Sequence, residues 1–138
     1  LKVSATDKAG HQVVAPPWDF TLDTTAPACS AIRLDAGANA NGAGYFSVPG
    51  TLVATWNCSD EQSGLFRIEA RLGGAAARTV RLPGSAIVTK WALRMEKGSV
   101  YRACVRPTNG AGTTAAETCS HNLIFDPTPP VVGRLVLT

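Results

Sequence analysis

The sequence predicts an all-β protein, built as a seven-stranded antiparallel β-sandwich within a tandem array. Helical periodicity is absent, and short segments of alternating apolar and polar residues are separated by Gly, Pro, Asn and Asp. The sequence also repeats itself at a spacing of about 100 residues, which is the size of one small sandwich domain. With 138 residues, of which 45% are hydrophobic, the chain has room for one such domain with a packed core.

The repeat is clearest at a proline-bearing motif. Asp23-Thr-Thr-Ala-Pro27 recurs as Asp126-Pro-Thr-Pro-Pro130, 103 positions later. The flanks match as well, and the matching pairs are residues 3–10 with residues 105–112, and residues 32–34 with residues 135–137. Proline restricts its own backbone and that of the residue before it, so these junctions are expected to be semi-rigid spacers.

The repeat divides the chain into three parts. Residues 1–22 are predicted to be the C-terminal strands of a preceding repeat, residues 23–127 a complete repeat, and residues 128–138 the first strand of a following repeat. We expect residues 1–22 to rest on strands of their own repeat or on another chain, because they cannot bury a core alone.

Alternation predicts seven strands in the complete repeat. In chain order they span residues 29–35, 52–58, 65–72, 78–82, 87–95, 100–108 and 113–125. The side chains expected to face the core are Leu52, Ala54, Trp56, Phe66, Ile68, Ala70, Leu72, Ile87, Trp91, Leu93, Met95, Tyr101, Ala103 and Val105.

Three motifs in this order resemble fibronectin type III and related immunoglobulin-like repeats. Leu52-x-Ala-x-Trp56 resembles the second strand of that family with its buried tryptophan. Met95-Glu-Lys-Gly-Ser-Val-Tyr101 is similar to its Leu-x-Pro-Gly-Thr-x-Tyr corner, with lysine where proline is usual. Tyr101-x-Ala-x-Val followed by Asn109-Gly-Ala-Gly resembles the sixth strand and the turn after it. The resemblance implies an immunoglobulin-like sandwich in which the Tyr101 hydroxyl bonds to backbone near Met95 and stabilises the fold.

Four cysteines allow three pairings. A turn near Ala111 places Cys104 almost opposite Cys119, and pairing of the first two strands places Cys29 opposite Cys58. We therefore predict Cys29–Cys58 and Cys104–Cys119. A Cys58–Cys104 bridge is disfavoured, because alternation puts Cys104 on the outer face. No Cys-x-x-Cys motif occurs, so zinc is not expected, and two disulfides indicate an oxidising compartment.

A glycosylation motif lies beside one of these cysteines. Asn57-Cys58-Ser59 fits the pattern for N-linked glycans, and alternation places Asn57 outward. The neighbouring disulfide is a steric obstacle to modification, so both the glycosylated and the unmodified form remain open at this stage.

Acidic residues suggest two interpretations of the domain ends. Asp23, Asp60 and Glu61 are expected at one pole, near the Asn109 turn, and Asp126 approaches Asp35 and Glu96 at the other. The favoured interpretation is that Asp23 and Asp126 cap turns through their side chains. The alternative is a calcium site formed by Asp23, Asp60 and Glu61, since calcium prefers several oxygen ligands.

Arginines point outward from neighbouring strands of the predicted sheet. They are Arg67, Arg71, Arg78, Arg81, Arg102 and Arg106. Arginine suits bidentate contact with carboxylate, sulfate or phosphate, so this face is a candidate surface for an acidic partner or an anionic glycan. The plainer interpretation is a solvated sheet face whose charges oppose aggregation.

Catalysis is not predicted. Asp60 and Glu61 are adjacent and point apart, the serines lack a Gly-x-Ser-x-Gly context, and no phosphate loop occurs. The net charge of +3 is too small to indicate nucleic acid. No apolar run approaches the roughly 20 residues of a membrane helix, so insertion of this segment into a membrane is not expected. No cofactor is expected apart from the calcium alternative.

The sequence therefore predicts a non-enzymatic structural repeat of an extracellular or cell-surface chain made through the secretory pathway. Its partners would be neighbouring repeats, further copies in a self-assembled filament, or other surface proteins. The Ala- and Gly-rich composition resembles that of algal surface proteins, including those of ciliary hairs (mastigonemes). One alternative is an adhesion or receptor module that binds a protein or anionic glycan through the arginine face. Another is a spacer beside a catalytic domain.

Overall fold

The computed structural model of the protein describes residues 1–36, 44–74, 77–134 and 136–138. These residues form thirteen strands and no helix. In chain order the strands are β1 (Ser4–Thr6), β2 (Gln12–Val14), β3 (Ala28–Cys29), β4 (Arg33–Asp35), β5 (Tyr45–Phe46), β6 (Thr51–Thr55), β7 (Cys58–Ser59), β8 (Leu65–Gly74), β9 (Arg78–Pro83), β10 (Val88–Ala92), β11 (Val100–Asn109), β12 (Thr118–Cys119) and β13 (Leu123–Phe125). The protein is all-β, as predicted.

Two sheets make up most of the structure. One contains three antiparallel strands in the order β10-β6-β4. The other contains six strands in the order β5-β13-β11-β8-β9, with β12 also paired to β11. The pair β13–β5 is parallel, and β5 is a short strand that the sequence does not predict. The remaining strands form two pairs, β1-β2 and β3-β7.

The hydrophobic core joins the two larger sheets. The three-stranded sheet contributes Leu34, Leu52, Ala54 and Trp91. The six-stranded sheet contributes Phe46, Ile68, Ala70, Leu72, Tyr101, Ala103, Val105, Leu123 and Phe125. These residues belong to one buried cluster, which is consistent with a β-sandwich. Trp56, just after β6, is also buried, and its indole N–H donates to the Ala86 carbonyl at 2.7 Å.

Two predicted strands are each interrupted by a one-residue shift of register. Three residues separate Cys29 from Arg33, while two separate their partners Cys58 and Thr55. The predicted strand at residues 113–125 is likewise broken between β12 and β13. Each extra residue is a β-bulge, which divides one strand of the sequence prediction into two.

Phe66 and Ile87 were expected to face the core, and both predictions are wrong, since these side chains are 66% and 63% exposed. Phe66 lies at a shift of register in the β8–β11 pairing, where Thr108 opposes Arg67 but Asn109 opposes Leu65. The bulge turns Phe66 outward, and Leu65 packs against the core instead. Ile87 precedes β10, so the alternation of that strand does not control its burial.

The Tyr101 hydroxyl does not make the hydrogen bond that the family resemblance implies. The side chain is fully buried, with its ring centroid 6.3 Å from that of Phe46, and the hydroxyl has no hydrogen-bond partner among the described residues. The turn near Met95 closes on itself instead, through the Ser99 N–H and the Glu96 carbonyl at 3.0 Å.

Replacement of Tyr101 by phenylalanine is therefore expected to leave the free energy of unfolding unchanged or to raise it by up to about 1 kcal/mol. The variant removes a buried hydroxyl that gains no hydrogen bond, while the ring stays in the core. Denaturant unfolding checks this result. A loss of about 1 kcal/mol or more would mean that the hydroxyl is bonded in solution as in the family's corner.

The hairpin β1-β2 repeats the turn that follows β11. In residues 7–11 and again in residues 109–113, the N–H of the first residue donates to the carbonyl of the last at 2.9 Å. A side-chain oxygen of the first residue, Asp7 or Asn109, accepts the N–H of the last at 2.9 and 2.8 Å. The fourth residues, Gly10 and Gly112, have φ of 87° and 88°, a conformation that favours glycine. The sequence repeat is thus accompanied by a repeated local structure.

Candidate functional site

Two disulfides link neighbouring strands. Cys29 in β3 lies opposite Cys58 in β7, and their Cα atoms are 3.9 Å apart. Cys104 in β11 lies opposite Cys119 in β12, with 4.0 Å between the Cα atoms. These are the two pairs that the strand register predicts. Their sequence separations are 29 and 15, so each disulfide constrains the unfolded chain over that span.

Asn109 is the most heavily bonded side chain of the candidate site. It ends β11 and is completely buried. Its Oδ1 accepts the Thr113 N–H at 2.8 Å. Its Nδ2 donates to Asp23 Oδ2 at 2.8 Å, to the Thr25 carbonyl at 3.0 Å and to Asp60 Oδ2 at 3.2 Å. One amide therefore joins the junction at residues 23–25 to the loop between β7 and β8.

The two carboxylates that face Asn109 are themselves held by local turns. Asp23 Oδ1 accepts the Thr25 N–H at 2.9 Å, and Asp23 Oδ2 accepts a hydrogen bond from the Ser63 hydroxyl. Asp60 Oδ1 accepts the N–H groups of Gln62 and Ser63, at 3.1 and 2.8 Å. The Ser63 hydroxyl and the Thr25 N–H are the main causes that lower the pKa of Asp23 below its usual 3.8.

We call Asp60, Ser63 and Asn109 the Asn109 pole. The predicted proximity of Asp23 and Asp60 is present here, but an amide N–H₂ group lies between the carboxylates and donates to both. Glu61 is exposed and takes no part in these hydrogen bonds. The sequence pointed to the carboxylates and to the Asn109 turn, and it gave no sign of Ser63.

The opposite pole has a simpler arrangement. Asp126 Oδ1 accepts the Thr128 N–H at 3.0 Å, which matches the turn-capping interpretation. Hydrogen bonds from the Thr128 side chain and N–H lower the pKa of Asp126. No hydrogen bond among the described residues joins the Asp126 side chain to Asp35 or Glu96. Within that part of the chain, three metal-ligating side chains converge only at Cys104, Glu117 and Cys119, where both sulfurs belong to a disulfide.

The arginine face is partly neutralised by two glutamates. Arg71 forms a bidentate pair with Glu117, with Nε–Oε1 and Nη2–Oε2 distances of 3.0 and 2.7 Å. Glu69 accepts from Arg106 Nη2 at 2.6 Å and from Arg81 Nε at 3.4 Å. These guanidinium groups lower the pKa values of Glu117 and Glu69. Three of the six predicted arginines, Arg71, Arg81 and Arg106, are therefore engaged in ion pairs.

The remaining three arginines have no carboxylate partner among the described residues. Arg102 Nη2 lies 3.2 Å from Cys119 Sγ, while Arg67 is half-buried and Arg78 is exposed. The sequence predicted the outward direction of these side chains and the interruption by Glu69. It did not indicate Glu117, which reaches Arg71 only because of the fold of the segment before β12.

Asn57 lies between β6 and β7 and is exposed, as alternation predicts. Its backbone carbonyl accepts the N–H and the hydroxyl of Ser30, at 2.8 and 3.1 Å. The backbone at the sequon is therefore fixed by the neighbouring segment, while the residue itself faces outward.

No protein-family model matches the chain, and no curated protein is significantly similar to it in sequence. No helix among the described residues has the length and apolar character needed to cross a membrane.

Proposed function

We propose that the chain is a non-enzymatic structural repeat of an extracellular or cell-surface filament or array, where it provides spacing and contacts for lateral assembly. The observation that carries this proposal is the repetition of local structure together with sequence. The turns at residues 7–11 and 109–113 share their hydrogen bonds and their glycine conformation. Asp23 and Asp126 cap the same Asp-x-Thr turn 103 positions apart.

The exposed apolar residues of the N-terminal segment support the same division of the chain. Phe20 and Leu22 are 72% and 82% exposed, although they align with Leu123 and Phe125 in the core of the complete repeat. We infer that each is a core residue of a preceding repeat and is covered by other strands of that repeat. We therefore propose that residues 1–22 end a preceding repeat, residues 23–127 form a complete repeat, and residues 128–138 begin a following repeat.

We propose a seven-stranded immunoglobulin-like, fibronectin type III-like sandwich for the complete repeat. The consecutive strands β3 with β4, β6 with β7 and β12 with β13 each count as one strand of this scheme. The first, second and fifth strands then form one sheet, and the third, fourth, sixth and seventh form the other. The third, fourth and sixth strands are those on which the sequence places the outward arginines, and they are neighbours in the larger sheet, to which β5 is an addition.

Two features support a mechanical role outside the cytosol. The cysteines are fully paired within the repeat, which favours an oxidising compartment, and each disulfide links adjacent strands. The exposed Asn57 sequon is compatible with a secreted glycoprotein. The proposal includes neither a cofactor nor a catalytic step. Algal ciliary-hair proteins are the type of surface protein that the composition resembles.

The second candidate is an adhesion or receptor module that binds an acidic protein or an anionic glycan through the arginine face. It is supported by the absence of carboxylate partners for Arg67, Arg78 and Arg102 among the described residues. It is weakened by Glu69 and Glu117, which already occupy Arg71, Arg81 and Arg106. We therefore place it behind the structural role.

Negative-stain electron microscopy of the native parent protein, released gently from its source, distinguishes the two candidates. The structural proposal predicts a regular filament with an axial period close to the length of one sandwich domain. Separate flexible rods that end in a distinct head would contradict it and would favour adhesion. In that case the present segment would be part of a stalk.

A further inference from the structure

The junction before the complete repeat is attached to that repeat through side chains as well as through the chain. Asp23 contacts Ser63 and Asn109 through Oδ2, and the Thr25 carbonyl accepts from Asn109 Nδ2 at 3.0 Å. Between them, the Thr24 N–H donates to Gln62 Oε1 at 3.2 Å. Three consecutive junction residues thus bind loops that are 38 to 86 positions away in the sequence.

The two carboxylate oxygens of Asp23 bind different parts of the protein. Oδ1 shapes the junction, because it accepts the Thr25 N–H and the Thr25 hydroxyl at 2.9 and 3.0 Å. Oδ2 binds the Asn109 pole. The second junction has only the contact within the turn, in which Asp126 Oδ1 accepts the Thr128 N–H at 3.0 Å. No described residue outside the Asp126–Thr128 turn donates a hydrogen bond to the Asp126 carboxylate.

We propose that the Asn109 pole is a docking surface for an Asp-x-Thr junction, and that Asp126 docks in the same way on the pole of a following repeat. This inference rests on the proposed tandem arrangement. The partner it requires is a repeat of this fold with an amide or hydroxyl donor at the end of the strand equivalent to β11. Docking at two side chains would fix the angle between successive repeats and limit the freedom of the spacer.

The chemistry of the pole makes the docking selective. A carboxylate can only accept at neutral pH, so it needs the N–H₂ of Asn109 or the hydroxyl of Ser63 opposite it. In the N-terminal segment the aligned residue is Asp7, whose carboxylate accepts the N–H groups of Ala9 and His11 at 2.9 Å each. A pole with aspartate at this position would repel an aspartate junction, so the donor at residue 109 determines which poles can dock.

Backbone order parameters from ¹⁵N relaxation test the docking in the 138-residue chain, which contains one docked and one undocked copy of the motif. Residues 24 and 25 are expected to match the strands, at about 0.85, while Thr128 is expected to be below about 0.6. Asp126 does not report on the junction, because its N–H donates to the Phe46 carbonyl at 2.9 Å. Asp23→Asn keeps the oxygen that accepts the Thr25 N–H but sets a second N–H₂ against Asn109. This variant should lower the values at residues 24 and 25 to those of the other junction.

Asp126→Asn is the matched control and should leave residues 24 and 25 unchanged. Strand amides of the Asp23→Asn variant should keep wild-type values, which separates loss of docking from loss of folding. Equal mobility of the two junctions in the wild-type chain, or an Asp23→Asn variant with rigid residues 24 and 25, would overturn the inference.

The second step uses the parent chain with its following repeat. There, Thr128 should reach about 0.85, and Asp126→Asn should reverse that ordering. If Thr128 stays mobile beside the following repeat, the docking of Asp126 is rejected. Electron microscopy that shows no filament would reject the proposed assembly role and leave these relaxation results standing, so the two failures are distinguishable.

Discussion

Replacement of Cys29 and Cys58 together by alanine is expected to lower the free energy of unfolding by about 3.5 kcal/mol, since their bridge closes a loop with a sequence separation of 29 residues. The bridge joins β3 to β7, a pair of strands with only two residues each. Without the disulfide, only two pairs of residues hold these strands together. A loss of that size is a large share of the roughly 5–15 kcal/mol that stabilises an ordinary domain.

Chemical denaturation under non-oxidising and metal-free conditions measures this effect. Both cysteines are partly buried against the core, so alanine removes little apolar contact beyond the bridge itself. The double replacement of Cys104 and Cys119 is the matched control, with an expected loss of about 3 kcal/mol for its 15-residue separation. A loss below about 1 kcal/mol for Cys29 and Cys58 would show that the bridge does not stabilise the repeat.

The Asn109→Asp variant is expected to lose about 3–5 kcal/mol of unfolding free energy at neutral pH. The change removes both N–H donors from a buried group and places a third carboxylate beside Asp23 and Asp60. Like charges at this distance raise the pKa of the new carboxyl above its unfolded value. The deficit relative to wild type should therefore be smallest below about pH 3.9 and should grow as the pH rises through the folded-state pKa.

Asn109→Ala separates the charge effect from the lost hydrogen bonds. It leaves the Thr113 N–H and the acceptors of Asp23 and Asp60 without their partner, at an expected cost of about 2–3 kcal/mol with little added pH dependence. Equal losses for the two variants across the pH range would contradict the three-carboxylate geometry.

Calcium should leave the melting temperature of the wild type unchanged, because the Asn109 amide already donates a hydrogen bond to each of the two carboxylates.

The sequence predicts those parts of the structure that depend on the period of a strand or on its register. The cysteine pairing follows because a hairpin places Cys104 opposite Cys119 regardless of the rest of the fold. The inward direction of Leu52, Ile68 and Val105 follows from alternation along single strands. These features need only local geometry, which is why one sequence is enough to find them.

The sequence does not predict features that depend on several distant segments at once. Phe66 is exposed because a bulge shifts β8 against β11. The prediction assumes unbroken alternation of inward and outward side chains, and a bulge interrupts that alternation. The full role of Asn109 appears when residues 23–25 and the loop at residues 60–63 meet at the end of β11. In the sequence, this position is marked by its alignment with Asp7 and by the turn motif Asn109-Gly-Ala-Gly, neither of which indicates the bonds to Asp23 and Asp60.

Unfolding of residues 23–127 alone tests whether this segment is one complete repeat flanked by parts of two others. We expect the truncated protein to keep the unfolding free energy of the 138-residue chain to within about 1 kcal/mol, because the buried core cluster lies entirely inside these boundaries. Hydrogen exchange should show the same protected core amides in both. A truncated protein that does not fold, or residues 1–22 that exchange together with the core, would show that residues 23–127 are not a complete repeat.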